Sequence, residues 1–295
     1  MTTIVVHGTM AMGATWYQSA WEGEGFLAGL NIAMLETSGQ QDIWQVNNEH
    51  VSNYAALGKV YEWSGLPEGL YRGIAAGELA RYLNIVASLT DEPIRIIAHS
   101  HGCNVVKLAS SLPELSPQVM IEQAVFLACP HFYEDQYKQE QLSGLDQFDI
   151  RKVHQGYKKS GYRFRYALDP QRFGRILNVY CQQDSVQVDL AESFSGGMVP
   201  LNGSFLENVM KQLTDGILEL PRAARQDMDD NARQCYEEQE VFVEPSCSGI
   251  HTHSVMHGFI MGMLAGSWLN SGLSVQQLLQ ERGTLPLLEC SDTGG

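Results

Sequence analysis

The sequence predicts an α/β protein in three layers, with a mostly parallel central sheet and helices on both faces. Short, nearly continuous apolar runs alternate along the chain with stretches of helical periodicity. Such runs are typical of parallel strands that are buried on both faces, because crossover helices cover the sheet from either side. The predicted strands are residues 4–6, 59–63, 94–99, 124–128, 176–181 and 240–244.

Helices are predicted between these strands. Apolar residues recur at helical spacing from position 71 to 89, and Pro93 ends this helix because it disfavours helical geometry just before it. Further helices are expected at about 24–30, after Ser100, and at 254–269, where the last helix of the chain is expected.

The 295 residues are interpreted as one domain, 1–295, and 44% of them are hydrophobic, enough for a sizeable core. Two long stretches interrupt the strand–helix rhythm, at about 130–174 and 185–239. Insertions of this length are typical of functional lids. We expect them to form a lid or cap at the carboxyl ends of the strands, where open α/β sheets bind ligands.

The charge balance excludes some partners. The chain carries 34 acidic and 19 basic residues, a formal net charge of −15. Nucleic-acid binding requires clustered Lys and Arg, and so does docking on an anionic membrane, so neither partner is expected.

The location predicted from the sequence is cytoplasmic. There is no basic and apolar leader at the N-terminus and no apolar run long enough for a membrane-spanning helix. The six cysteines are scattered without a C-x-x-C pair, which favours reduced thiols. A Cys235–Cys247 bridge and export without a signal peptide stay open as alternatives.

The stretch IRIIAHSHG (94–102) contains the strongest chemical signal. A β-branched run ends at Ser100, and a helical pattern begins directly after it. A serine at a sharp strand-to-helix turn presents its hydroxyl as a nucleophile, and the turn requires small residues on both sides. Ala98 and Gly102 provide them, so Ser100 is the predicted nucleophile.

A serine nucleophile needs a base, and the base needs an acid that orients it. Asp184 directly follows the predicted strand 176–181 and is the predicted acid. Its competitors are Asp189 and Asp169, and the alternative role for Asp184 is that of an ordinary turn residue.

The base is predicted at His253, just before the last predicted helix. His251 is the second candidate, while His257 is expected to pack inside the helix. The same three histidines permit a metal-dependent hydrolase, but no glutamate stands between them as in H-E-x-x-H. We therefore expect no metal and no cofactor.

Two backbone N–H groups are expected to stabilise the oxyanion. One belongs to His101, the residue after the nucleophile, and the other to Thr9, or Met10, in the loop after the first strand. The side chains of His99 and His101 are expected to be structural, because neighbours of the serine point away from it on a tight turn. Arg72 is expected to pair with a carboxylate.

These motifs resemble those of a known family. VVHGT (5–9) with WY (16–17), EWSG (62–65), Arg72 and IAHSHGCN (97–104) are similar to motifs of bacterial α/β-hydrolases of the lipase/esterase type. DSVQ (184–187) and His253 with Ser254 resemble the acid and histidine motifs of the same group. The resemblance implies a three-layer α/β-hydrolase fold and a Ser100–His253–Asp184 triad, with the oxyanion hole near Thr9. Cys103 stands where that family often has glycine.

The function expected from the sequence is hydrolysis of carboxylic esters through an acyl-enzyme. The expected partner is a small-molecule or lipid ester. Two alternatives stay open, a catalytically inactive binding module on the same fold and the metal-dependent hydrolase.

Overall fold

The chain was analysed as a computed structural model, which describes residues 2–8, 25–27, 29–30, 33, 61–65, 69–129, 134–136, 163–165, 168–184, 235–247 and 250–289. Five strands in this part of the chain form one parallel sheet in the order β1-β2-β3-β6-β7. They are β1 Thr2–Val6, β2 Ile94–His99, β3 Ile121–Leu127, β6 Phe173–Tyr180 and β7 Tyr236–Glu240. A separate antiparallel pair consists of β4 Glu134–Gln136 and β5 Arg163–Arg165.

The helices precede and follow these strands. The described residues from 26 to 33 are helical, and a 3₁₀ turn, Pro170–Arg172, leads into β6. Another 3₁₀ turn, Val255–His257, lies between the third and fourth helices. The helices are α1 Gly69–Leu89, α2 His101–Ser111, α3 Ile250–Ser254, α4 Phe259–Ser271 and α5 Val275–Arg282.

The core consists of two apolar layers, one on each face of the sheet. Successive strand residues point to opposite faces, so neighbours in β1 and β2 enter different layers. Ile96 and Ala98 pack in the layer that contains α1 and α2. Ile97 packs in the layer that contains the helical residues near Phe26 together with α4 and α5. The described chain therefore has the three layers that the sequence predicts.

Strand register aligns the carboxyl ends of the strands along one edge. Val6 pairs with Ala98, His99 with Leu127, Leu127 with Val179, and Tyr180 with Glu240. The residues that follow β1, β2 and β6 consequently emerge at this edge.

Most of the predicted elements are confirmed, with small changes at their ends. The prediction of a strand at 240–244 is wrong in position, because β7 ends at Glu240. As an edge strand, β7 is mostly half-buried and lacks the apolar run of a central strand, whereas the buried Val241 and Val243 follow it. Residues 61–63 lie outside regular structure, and Lys59 and Val60 lie outside the described residues.

The single helix predicted at 254–269 is also wrong. Gly258 is extended, with φ −81° and ψ 178°, and it separates the 3₁₀ turn Val255–His257 from α4. A further helix, α5, begins after Ser274, whose side chain forms a reciprocal capping box with Gln277.

The prediction of reduced cysteines is wrong at Cys247, which is in a disulfide bond. Cys103, Cys129, Cys181 and Cys235 are not in disulfide bonds, so the alternative Cys235–Cys247 bridge is also wrong. Among the described residues, no helix is long and apolar enough to cross a membrane.

Candidate active site

Ser100 occupies a strained turn between β2 and α2. Its φ of 53° and ψ of −132° lie in a region that residues with a Cβ rarely adopt. The turn is held by two backbone hydrogen bonds, from Ser100 N–H to the Leu127 carbonyl at 2.8 Å and from Cys103 N–H to the Ser100 carbonyl at 3.0 Å. The sharp strand-to-helix turn predicted from the sequence is therefore present.

The hydroxyl of Ser100 does not cap the helix that it precedes. Ser100 is the N-cap of α2, a position where serine normally accepts a hydrogen bond from the helix backbone, yet its side chain makes no capping bond. The residue is only 5% exposed. The hydroxyl is thus held at the positive end of a helix, with no structural role in capping it.

Two glycines allow the loop after β1 to approach this turn. A Cβ on Gly102 would lie 2.5 Å from the carbonyl oxygens of both Val6 and His7. A Cβ on Gly8 would lie 2.7 Å from the Cβ of Ser100. Both distances are too short for any side chain, so the backbone at Gly8 packs directly against the serine.

Asp184 and His253 are in contact at the same edge of the sheet. Nδ1 of His253 donates a hydrogen bond to Oδ2 of Asp184 at 2.7 Å, and the aspartate is completely buried. Asp184 is held in the turn after β6, where its N–H donates to the Cys181 carbonyl at 3.2 Å. Because a carboxylate only accepts, the proton is on Nδ1 and Nε2 of the neutral ring is left as an acceptor.

The ring of His253 lies beside the Ser100 turn. Its centroid is 4.6 Å from that of His99, the residue before the serine. Burial is the main cause that lowers the pKa of His99 and of His101, and the charge that His253 carries when protonated lowers both further. The base predicted from the sequence therefore packs against the residue that precedes the predicted nucleophile.

The other histidines of this edge are kept neutral by burial. Burial lowers the pKa of His99 and of His101 well below the usual value, and the cation of Arg72 lowers that of His101 further. Burial also lowers the pKa of His257 to about 4, with a further contribution from His253. Because His99, His101 and His257 stay neutral near pH 7, they add no positive charge next to His253.

His7 and Trp63 hold the end of β1 in place. The indole N–H of Trp63 donates to the His7 carbonyl at 2.8 Å, and the Trp63 backbone N–H donates to His7 Nε2 at 3.2 Å. Nδ1 of His7 therefore carries the proton and donates to the Gly8 carbonyl at 2.8 Å. These bonds fix the backbone that packs against Ser100.

Cys103, which replaces a glycine of the motif, is accommodated under the turn. Its thiol donates to the Ala98 carbonyl at 3.2 Å. Burial, together with a hydrogen bond to the Cys129 side chain, raises its pKa well above the usual value. It is therefore a neutral thiol that packs below the Ser100 turn.

Asp169, one of the competing acids, lies elsewhere. It caps the 3₁₀ turn before β6 by accepting from Gln171 N–H at 3.0 Å, and it pairs with Arg172 at 3.4 Å. Asp189, Thr9 and Met10 lie outside the described residues, and only the backbone of His251 is described.

Sequence reasoning missed the contact between His99 and His253. The alternation of side chains along β2 could have predicted part of this contact. His99 points to the same face of the sheet as Ile97, and that face is covered by the C-terminal helices. Arg72, which the sequence predicts to pair with a carboxylate, is fully buried in the first turn of α1, and its charge adds to the effect of burial in lowering the pKa of His101.

Among the described residues, no group of three or more His, Cys, Asp or Glu side chains is arranged to hold a metal ion. No protein-family model, curated protein or solved structure matches this chain. The resemblance to bacterial lipases and esterases thus stays a prediction from the motifs.

Proposed function

We propose that this protein is a serine hydrolase of the α/β-hydrolase fold that cleaves carboxylic esters. The observation that carries the proposal is the hydrogen-bonded pair of His253 and buried Asp184 beside the strained Ser100 turn. A nucleophile, a base and an acid on one sheet edge, in this chain order, are the parts that acyl transfer through a serine requires.

In the first half of the reaction, Ser100 Oγ forms a bond to the ester carbonyl carbon and its proton passes to Nε2 of His253. Asp184 keeps the ring in the correct tautomer and stabilises the resulting cation. The tetrahedral intermediate then breaks its bond to the alcohol oxygen, and His253 returns the proton to the departing alcohol. An acyl-enzyme on Ser100 is left.

Water completes the cycle. His253 takes a proton from the water as its oxygen attacks the acyl carbon, and the bond to Ser100 Oγ breaks as the serine regains a proton. The carboxylic acid is released. The oxyanion of both steps is stabilised by the N–H of His101 and by that of Thr9. His101 is the first residue of α2, a position at which the backbone N–H points out of the N-terminal end of the helix.

The proposed substrate is a small-molecule or lipid ester with an apolar acyl part, and the reaction uses neither a metal nor a cofactor. The proposed location is cytoplasmic. The disulfide at Cys247 favours an oxidising compartment instead, so export from the cytoplasm is the competing proposal.

A fluorophosphonate probe tests the function directly, because it reacts with activated serines. The wild type is expected to be labelled and to hydrolyse a p-nitrophenyl ester, and Ser100→Ala is expected to lose both activities while remaining folded. Ser111→Ala, at the far end of the same helix and on its exposed side, is the matched control and should behave as wild type.

The alternatives give different results in the same experiment. A folded wild type that is neither labelled nor active would favour the binding module. Activity that disappears with a chelator and persists in Ser100→Ala would favour the metal-dependent hydrolase.

A further inference from the structure

We propose that His99 is a positioning residue for the base, and that with His257 it fixes the orientation of the His253 ring. This inference rests on the proposed function, because it concerns the same site. It assigns a role in the reaction to a side chain that is neither nucleophile, base nor acid.

Asp184 restrains only part of the His253 ring. Its carboxylate binds one atom of the imidazole, Nδ1. A single hydrogen bond leaves the ring free to tilt and rotate about the bond axis, and this motion moves Nε2 away from the serine. A second contact, on the face of the ring, is needed to remove that freedom.

His99 provides this second contact. Its ring lies 4.6 Å from the ring of His253, with an angle of 46° between the planes. His99 is the last residue of β2, which lies between β1 and β3 in the sheet, so the contact comes from a rigid element. The ring of the base is therefore packed against the strand that presents the nucleophile.

His257 also packs against His99. Its ring meets that of His99 edge to face, with centroids 4.9 Å apart and planes at 87°. It belongs to the 3₁₀ turn that directly follows α3, the helix that contains His253. The segment of the base is thus attached to His99 at two points, one at His253 itself and one four residues later.

Neutral imidazole rings can pack beside the base without opposing the charge that it acquires. Burial keeps His99 and His257 uncharged near pH 7, so they do not repel His253 when it becomes a cation during the reaction. An aromatic face beside the ring restricts it without taking its proton.

The test compares His99→Leu with His99→Phe. Leucine keeps apolar volume but removes the ring, while phenylalanine keeps a ring face. In His99→Leu we expect kcat and the rate of fluorophosphonate labelling to fall by about 100-fold with KM unchanged, the scale of loss when a reacting group is misplaced by about 1 Å. His99→Phe should restore both to within about tenfold of wild type.

A spectroscopic measurement separates positioning from a merely structural role. The proton between His253 Nδ1 and Asp184 should give a low-field NMR signal in the wild type and in His99→Phe, and this signal should be broadened in His99→Leu. If His99→Leu does not fold, His257→Leu tests the contact between His257 and His99, with His257→Phe as its control.

The inference is overturned if His99→Leu labels at the wild-type rate, or if both His99 variants lose activity equally and in step with their melting temperatures. These outcomes differ from failure of the proposed function, in which the wild type itself is not labelled.

Discussion

Nδ1 of His253 lies 2.7 Å from Oδ2 of Asp184, although the two residues are 69 positions apart in the chain. The aspartate is completely buried and belongs to the turn after β6, two strands away from the one that carries Ser100. The contact orients a histidine beside a serine, and the first prediction depends on it.

Replacing Asp184 with asparagine should lower kcat for a p-nitrophenyl ester by a factor on the order of 10⁴, with little change in KM. The amide can present an N–H to the ring, which favours the tautomer with the proton on Nε2 and removes the base. The measurement is steady-state hydrolysis near pH 7.

Asp169→Asn is the control, because this competing acid caps the turn before β6 and pairs with Arg172. It should keep wild-type kcat. Equal losses in the two variants would contradict the assignment of Asp184 as the acid.

Gly8→Ala should reduce the rate of fluorophosphonate labelling by about 100-fold to 1,000-fold, the cost of losing one oxyanion donor. The added methyl would lie 2.7 Å from Ser100 Cβ and 3.1 Å from the His99 carbonyl oxygen, so the loop after β1 must move away. Labelling is measured by the time course of probe incorporation.

Gly25→Ala serves as its control, since a Cβ at Gly25 would meet nothing within 4 Å. It should label at the wild-type rate. Normal labelling of a folded Gly8→Ala would show that the loop contributes no donor.

Stability should fall as the pH is lowered from 6.5 towards 4, because buried histidines stay neutral in the folded chain. Burial lowers the pKa of His257 from 6.5 to about 4, so in this window the unfolded chain binds a proton that the folded chain does not. The stabilisation is present in full above pH 6.5, and up to about 3 kcal/mol is lost through this residue.

Burial shifts the pKa of His7, His99 and His101 in the same direction, which should steepen the loss. Urea unfolding between about pH 7 and about pH 5 measures it. His257→Gln should show a shallower dependence, by up to about 1.4 kcal/mol per pH unit. Identical slopes in the two proteins would refute the prediction.

Trp63→Phe should lower the free energy of unfolding by about 2 kcal/mol, within the range for loss of a buried hydrogen-bond partner. The change removes the indole donor to the His7 carbonyl, while the Trp63 backbone N–H can still bind His7 Nε2. Urea denaturation gives the value, and a change below about 0.5 kcal/mol would show that the indole bond is dispensable.

The central part of the fold was predictable from the sequence because its signals are local. β2 contains a continuous run of buried residues, and Ala98, Ser100 and Gly102 give the sharp turn after it a recognisable pattern. The prediction was less successful at the margins. Among the described strands, β7 pairs only with β6, and its half-buried residues carry no apolar run. The extended Gly258 divides a stretch whose sequence pattern predicts one helix.

The acid was predictable in part. Asp169 lies before β6 and Asp184 lies after it, and the sequence ranked Asp184 first because it directly follows a predicted strand. In the structure, Asp184 binds His253, whereas Asp169 caps a 3₁₀ turn.

By itself, the sequence determined the buried strands at the centre of the sheet, the turn at Ser100 and a short set of candidate acids and bases. Such features depend on residues that are adjacent in the chain, and hydrophobic periodicity and small residues report them directly. Only the tertiary structure decided that His253 meets Asp184 and that His99 packs against His253. Those contacts join segments about 70 to 150 residues apart, and they depend on strand register and on which helix covers which face of the sheet.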